Sequence, residues 1–390
     1  MPNCLPQARS VRHHNPERTF IVSKQSREGT LPLAVEKAKL SDGRYEIIEI
    51  EDPDNVQSVY EMVGEYMQRI KAEYDTVVDD YTSGTKAMTA ALAILATLHE
   101  VDELSYITGK RVNGIVQYGT ETVIAMQPYF ATVEVKMKLA INFFNKSQYN
   151  AAISVLEQIK GSTGDPKITE RVDPIFTLAS AYAEWDRFQH LKAYELLKPL
   201  KMAELDQNKR FIGQLKTKLE KDEEPEPYLI ADLINNAKRR AEDEQKYDDA
   251  VARLYRTIEL IAQYKLKRKY NIDPSNVDAS KLPQNLLAEW GVKNRTEKLK
   301  LALDRSYQLL ETKEDEIGQR YVKDNKLRDL LQNRNTSILA HGLEPVTAQG
   351  YKDLYQKVVE YAGNAVLNLK QLMDDAQFIK LKDSGHQTSF

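Results

Sequence analysis

Over residues 18–127 the chain alternates short β-branched and aromatic runs with amphipathic helical stretches, a pattern that leaves few folds open. Residues 19–23, 45–50, 75–79 and 104–108 read as strands, and 31–40, 56–73 and 85–98 read as helices. Parallel strands need crossover connections of this helical kind, so the alternation predicts βαβ units and a mostly parallel, doubly wound sheet. Asn113-Gly114, between Lys110-Arg-Val112 and residues 115–118, is a hairpin signal, and residues 120–125 are expected to extend that antiparallel piece.

After residue 131 the strand signals give way to helical spacing. Ala152-x-x-Val155-Leu156 and Ala193-x-x-Leu196-Leu197 repeat one offset, each after an aromatic-rich helix, which suggests stacked helical hairpins. Lys221-Asp-Glu-Glu-Pro-Glu-Pro227 has the charge and proline content of an exposed boundary. Beyond it Ala250, Leu254, Ile258 and Ile261 form a helical stripe, and residues 299–310, 315–340 and 351–373 continue the pattern. The expectation is an α/β domain over 1–130, a helical connector over 131–225 and a helical bundle over 226–390.

Composition excludes several function classes. A net charge of -3 across 390 residues gives no global attraction to nucleic acid, so any polyanion must be met by local basic patches. The single Cys4 excludes a disulfide framework and a thiolate zinc site. No Asp/Glu cluster with an E-x-K partner follows a strand in the C-terminal half, so no metal or cofactor is expected. No run approaches the roughly 20 apolar residues of a membrane span, and the N-terminus lacks a signal-peptide core. A cytoplasmic location with no membrane contact is the expectation.

Two short segments carry chemistry. Asp80-Tyr-Thr-Ser-Gly-Thr-Lys-Ala-Met88 lies between a strand and a helix. Helix N-terminal amides, the hydroxyls of Thr82, Ser83 and Thr85, the permissive Gly84 and the ammonium of Lys86 make an anion cradle there. A capped turn with an exposed lysine is the plainer reading. The segment lacks the first glycine of a Walker loop and the G-x-G-x-x-G of a dinucleotide site. In the bundle, Arg334 and His341 stand seven apart, nearly in register on a helix, with Leu327, Leu330, Leu331 and Ile338 on the same face and Gly342 as a helix stop. A cation and an imidazole in an apolar stripe cost stability unless paired or used at a cleft. The plainer reading is a buried salt bridge and a core histidine. His13, His14, His99, His190 and His386 read as helix-end or surface residues.

The 80–88 segment in its α/β setting resembles the D-x-T-x-G-T-K-x-M signature of CARF domains, the Rossmann-like sensors of type III CRISPR systems. The resemblance covers roughly residues 6–127, including 106–111, 114–116 and 119–121. It implies a dimeric sensor of cyclic oligoadenylate, with Thr82, Ser83, Gly84, Thr85 and Lys86 near the ligand phosphates and Ser23 lining the same crevice. Arg334-Asn335-x-x-x-x-x-His341 resembles the R-x(4 to 6)-H motif of HEPN ribonucleases, and residues 247–259 are similar to an early helix of that fold. Order and content together resemble a CRISPR-associated CARF–HEPN family along nearly the whole chain.

That resemblance implies an endoribonuclease acting on single-stranded RNA without a metal, its two motifs meeting across a homodimer. RNA brings its own 2′-hydroxyl nucleophile, so cleavage needs positioning, charge stabilisation and proton transfer. Arg334 can fork onto phosphate oxygens, Asn335 can orient the phosphate or the 2′-hydroxyl, and His341 suits acid–base work. Two other functions stay open: a non-catalytic sensor whose bundle only dimerises, and a CARF domain that itself degrades the cyclic ligand. The family's opening central strand is expected to be missing, because residues 5–12 already resemble the first helix; a gap in the sheet is the consequence.

Overall fold

The β-branched runs of the first third pair as strands, and the amphipathic stretches between them pack over those strands as helices. This computed structural model describes residues 6–23, 30–112, 115–117, 119–294, 296–333, 337–339 and 342–382. The chain divides into two compact units, 1–137 and 138–390.

In the first unit α1 (Pro6–His14), β1 (Thr19–Ser23), α2 (Thr30–Ala38), β2 (Tyr45–Glu49), α3 (Val56–Glu73), β3 (Val78–Asp80), α4 (Lys86–Leu98) and β4 (Glu103–Thr108) alternate as expected. Three short strands follow: β5 (Arg111–Val112), β6 (Ile115–Val116) and β7 (Thr122–Met126). β1 and β2 pair in parallel, as do β3 and β4. Among the described residues these strands form two separate sheets, β1-β2 and β3-β4-β7, in place of one continuous doubly wound sheet. A shared apolar cluster bridges the two, with Ile48 and Ile50 from the β2 side, Leu104 from β4, and Val59, Val63, Met67, Met88, Leu92 and Leu95 from α3 and α4. β7 departs from expectation by lying antiparallel against β4, not against the β5-β6 ribbon. β4 offers it five register pairs, from Thr108 opposite Thr122 to Leu104 opposite Met126, where β5 and β6 hold two between themselves. Such nonlocal pairing gains more ladder hydrogen bonds.

Helix α5 (Tyr129–Asn145) carries the chain from the first unit into the second. There α6 (Tyr149–Ser162), α7 (Pro166–Asp186), α8 (His190–Leu197) and α9 (Asp206–Lys221) pack in succession. The repeated offset marks the buried side of α6 and α8, where Ala152, Leu156, Ala193 and Leu197 are all inaccessible. α10 (Glu226–Glu242) and α11 (Tyr247–Tyr270) form the most extensive helix pair. A small antiparallel pair not read from the sequence follows, β8 (Val277–Asp278) with β9 (Lys298–Leu299), flanking α12 (Gln284–Glu289).

The remaining helices are α13 (Leu303–Thr312), α14 (Glu316–Lys323), α15 (Asn325–Asn333), α16 (Ala348–Ala365) and α17 (Leu369–Asp375). The long helices expected over 315–340 and 351–373 are thus divided. Asp324 makes the first break: its Oδ1 accepts from Leu327 N–H at 2.9 Å and its Oδ2 from Lys357 Nζ at 2.8 Å, a local cap that competes with helix continuation.

The acidic run 221–227 is not a gap in packing. Its Asp222 and Glu226 pair with Arg268 at 2.8 and 3.0 Å, and one apolar cluster runs from Phe144 through α10 and α11 to Phe378. Phe378 locks that cluster. Its ring stacks on Tyr182 with centroids 4.0 Å apart, meets Trp185 at 4.9 Å, and lies 3.8 Å from the Arg239 guanidinium.

Candidate functional site

Strand β3 ends at Asp80, and the chain turns through Tyr81–Gly84 into α4, a turn built by its own polar side chains. Asp80 Oδ1 accepts from Thr82 N–H at 3.0 Å, which starts the turn. Thr82 Oγ1 accepts from Ile107 N–H at 2.9 Å, tying the loop to β4. Gly84 has φ +116°, a conformation that side-chain-bearing residues rarely adopt, and a Cβ there would stand 3.3 Å from Met88 Cβ. Thr85 caps α4: its Oγ1 accepts from Met88 N–H at 3.2 Å and donates to Pro53 O.

The five expected ligand residues of the turn therefore divide in two. Thr82 and Thr85 hold the turn with their hydroxyls and Gly84 supplies its backbone, whereas the side chains of Ser83 and Lys86 have no hydrogen bond or ion pair with the described protein. Those two, with the positive end of α4, remain to meet an anion. Ser23 closes β1, in the other sheet.

Two features of this site were not singled out from the sequence. Asp79, in register with Leu104 of the apolar cluster, is buried, and its Oδ2 has no hydrogen-bond partner. Burial, and then the neighbouring Asp80, pushes its carboxyl up to about 7. In addition, the ring of Tyr81 stacks on Tyr106 of β4 with centroids 5.4 Å apart and planes 20° from parallel, and Arg111 Nη2 donates to the Tyr106 hydroxyl at 2.6 Å. A strand alternation in sequence signals only that Asp79 faces one side, not that the side is apolar.

In the second unit, Arg334, Asn335 and His341 lie outside the described residues. Their described neighbours differ from the expected helix. Leu327 and Leu331 are buried on α15 as the apolar stripe requires, but residues 337–339 form a turn, with Ser337 1% exposed and Ile338 63% exposed. Gly342 N–H donates to Ser337 O at 3.2 Å. The premise that one helix carries the whole stripe to Ile338 therefore does not hold. Asn, Thr and Ser are residue types of low helix propensity, and the sequence places three of them in a row at 335–337. After the turn, Val346 N–H points to the Asp248 carboxylate, 3.3 Å from Oδ2, and Thr347 caps α16 through Gly350 N–H at 3.1 Å.

Two family models match the second unit and its approach: the Csm6 6H domain over residues 130–229 and the Csm6 HEPN domain over residues 218–364. Among solved structures, Csm6 of Enterococcus italicus bound to cyclic hexa-2′-fluoro-hexa-dAMP is similar with a TM-score of 0.58, covering 96% of this chain and 94% of that one at 15% identity. This chain is a CRISPR-associated CARF–HEPN protein. No curated protein matches it.

Within this CARF–HEPN protein the buried charges of the second unit are structural. Asp232, fully inaccessible, accepts from Trp185 Nε1 at 3.0 Å and meets His190 Nε2 at 2.8 Å. Asp186 binds Arg239 Nε at 3.0 Å and Asn236 Nδ2 at 2.8 Å, and also pairs with Arg240. His190 opens α8, a helix-end residue as read, and it is buried there because α10 brings it an acid from 42 residues away. His14 is likewise engaged, with Nε2 3.0 Å from Ser105 Oγ of β4. Among the described residues no group of three or more His, Cys, Asp or Glu is arranged to hold a metal ion. No described helix is long and apolar enough to cross a membrane.

Proposed function

We propose that this CARF–HEPN protein is an endoribonuclease of type III CRISPR defence, switched on by cyclic oligoadenylate and cleaving single-stranded RNA without a metal ion. The observation that carries this reading is that Arg334, Asn335 and His341 fall inside the stretch matched by the Csm6 HEPN model. The sensor half is supported by the turn at Ser83–Lys86, with an unpaired ammonium at the start of α4, and by the cyclic ligand named for the similar structure.

The chemistry follows from the residue types. Arg334 spreads two N–H donors over the phosphate oxygens as charge builds there, Asn335 orients the phosphate or the 2′-hydroxyl, and His341 moves the proton. Attack by the 2′-hydroxyl leaves a 2′,3′-cyclic phosphate and a free 5′-hydroxyl. One motif from each of two chains would complete the site. The exposed Ile338 and Leu339 beside the motif support such a homodimer, since apolar groups placed outward gain by being covered.

The test is cleavage of single-stranded RNA in chelator, with and without cyclic tetra- and hexaadenylate, for wild type, Arg334→Ala and His341→Ala. Each substitution is expected to lower the activated rate by about 100-fold or more. Wild-type rates in both variants would remove the proposed site. Ligand binding with no cleavage by the wild type would instead assign a non-catalytic sensor, and loss of ligand that survives His341→Ala would assign ligand degradation to the CARF domain.

A further inference from the structure

The stacked pair Tyr81–Tyr106 and the arginine bonded to it stand beside the cradle turn, apart from the hydroxyls that hold it. We propose that Arg111 is a second phosphate-binding cation of the sensor site, additional to Lys86, and that Tyr106, braced by Tyr81, is the residue that positions it. This assignment rests on the sensor reading above and names further residues of that same site.

Three observations carry it. Tyr81 lies between Asp80 and Thr82, so its ring belongs to the cradle turn itself, and it stacks on Tyr106 at 5.4 Å. The cradle and β4 are held together a second time by the Thr82 Oγ1 bond to Ile107 N–H. Arg111 is thereby linked to the turn through two rings and one 2.6 Å hydrogen bond.

The second observation is charge. Arg111 is exposed, and its described partner is a neutral hydroxyl, not a carboxylate. By contrast Arg18 and Arg69 in the same unit both engage Glu46. One of the five guanidinium N–H groups of Arg111 is spent on Tyr106, which leaves a fork free for two phosphate oxygens. Lys86 likewise has no partner among the described residues, so two cations without a described counter-charge stand near the carboxyl ends of β3 and β4. Ligands of doubly wound sheets bind at such strand ends.

The third observation is rigidity. A Cβ on Gly109 would stand 2.7 Å from Val116 Cγ1 and 2.8 Å from Thr120 O, so the link from β4 to β5 passes where only glycine fits. Lys110 is clamped on both sides, its N–H donating to Thr120 Oγ1 at 3.1 Å and its O accepting from Gln117 N–H at 2.7 Å. An arginine carried on such a link is already oriented before ligand arrives, and binding loses less entropy in ordering it.

The experiment is direct binding of labelled cyclic tetra- and hexaadenylate to the full chain, followed by RNA cleavage titrated with each ligand, for wild type, Lys86→Ala, Arg111→Ala, Arg111→Lys and Tyr106→Phe. Arg111→Ala is expected to weaken binding about tenfold or more, the size of one lost charge-assisted hydrogen bond, with Arg111→Lys recovering only part. Tyr106→Phe keeps the ring and loses the hydroxyl, and is expected to weaken binding about threefold, with the effect on the half-saturating ligand concentration and not on the maximal rate. The slope of log affinity against log salt should fall by about one in Arg111→Ala. Wild-type affinity and salt slope in Arg111→Ala, with Lys86→Ala impaired, would overturn the assignment while leaving the sensor reading intact. Absence of binding by the wild type to either ring would overturn both.

Discussion

Replacing Asp79 by Asn should make the first unit more stable, and by an amount that depends on pH. Asp79 is 7% exposed on β3, in register with Leu104 of the apolar cluster, and its Oδ2 has no partner. Burial, and then the like charge of the neighbouring Asp80, lifts the carboxyl from 3.8 to about 7. The folded chain therefore holds this proton more tightly than the unfolded chain. Between pH 3.8 and about 7 the native state binds more protons, so stability falls as pH rises through that window and the full deficit is present above about 7. At about 1.4 kcal/mol for each pH step, the deficit is at most about 4 kcal/mol. Asn has the same shape and no charge, so it removes the deficit at high pH and changes little near pH 4. Calorimetry of the full chain from pH 4.5 to 8.5 reads this as a melting-temperature gain for Asp79→Asn that grows with pH, reaching roughly 10 °C. A gain that is the same at both ends of the range would refute the reasoning, because the charge would then not be what burial penalises.

Two other substitutions test the packing of the second unit. Phe378→Ala empties a cage lined by Tyr182, Trp185 and Arg239, and should cost about 3–5 kcal/mol; a guanidinium midpoint equal to wild type would show that the C-terminal segment does not brace the second unit. Gly318→Ala would put a Cβ 2.4 Å from Glu311 N and 2.6 Å from Leu310 C, both unyielding backbone, so α14 must move off α13. Faster proteolysis between α13 and α15 and a loss of several kcal/mol are expected; unchanged protection would show that the contact is not tight.

Local features of the fold were legible in the sequence, and nonlocal ones were not. Helix α3 coincides with its expected span of 56–73 because its apolar spacing and its Asn55 cap, whose Oδ1 accepts from Gln57 and Ser58 N–H, lie in one stretch of chain. The turn at 80–88 was legible for the same reason. The division of labour inside it was not, because it depends on where Ile107 N–H and Pro53 O come to lie. The same holds for β7, which had a nearer hairpin to join and pairs with β4, and for His190, whose acid arrives from α10. The connector and the bundle read as separate segments on either side of an acidic run, yet Phe378 sits on Tyr182, a contact across almost two hundred residues that no window of sequence contains.

The proposed catalytic motif shows what periodicity alone is worth. Seven-residue spacing placed Arg334 and His341 on one face only on the premise of an unbroken helix, and residues 337–339 form a turn instead. The match of residues 218–364 to the Csm6 HEPN model now carries the assignment, and the turn adds something the helix did not. It is inverted relative to an apolar stripe: the hydroxyl of Ser337 is buried with no partner among the described residues, while Ile338 and Leu339 are exposed. A monomeric core would reverse that arrangement, since burying an unpaired hydroxyl and exposing two aliphatic side chains both cost free energy. Association with a second copy, as proposed, would recover the second of these costs. Under the proposed homodimer the turn that lies between Arg334 and His341 in sequence would be covered by the second copy, and the pair would form half of a composite site.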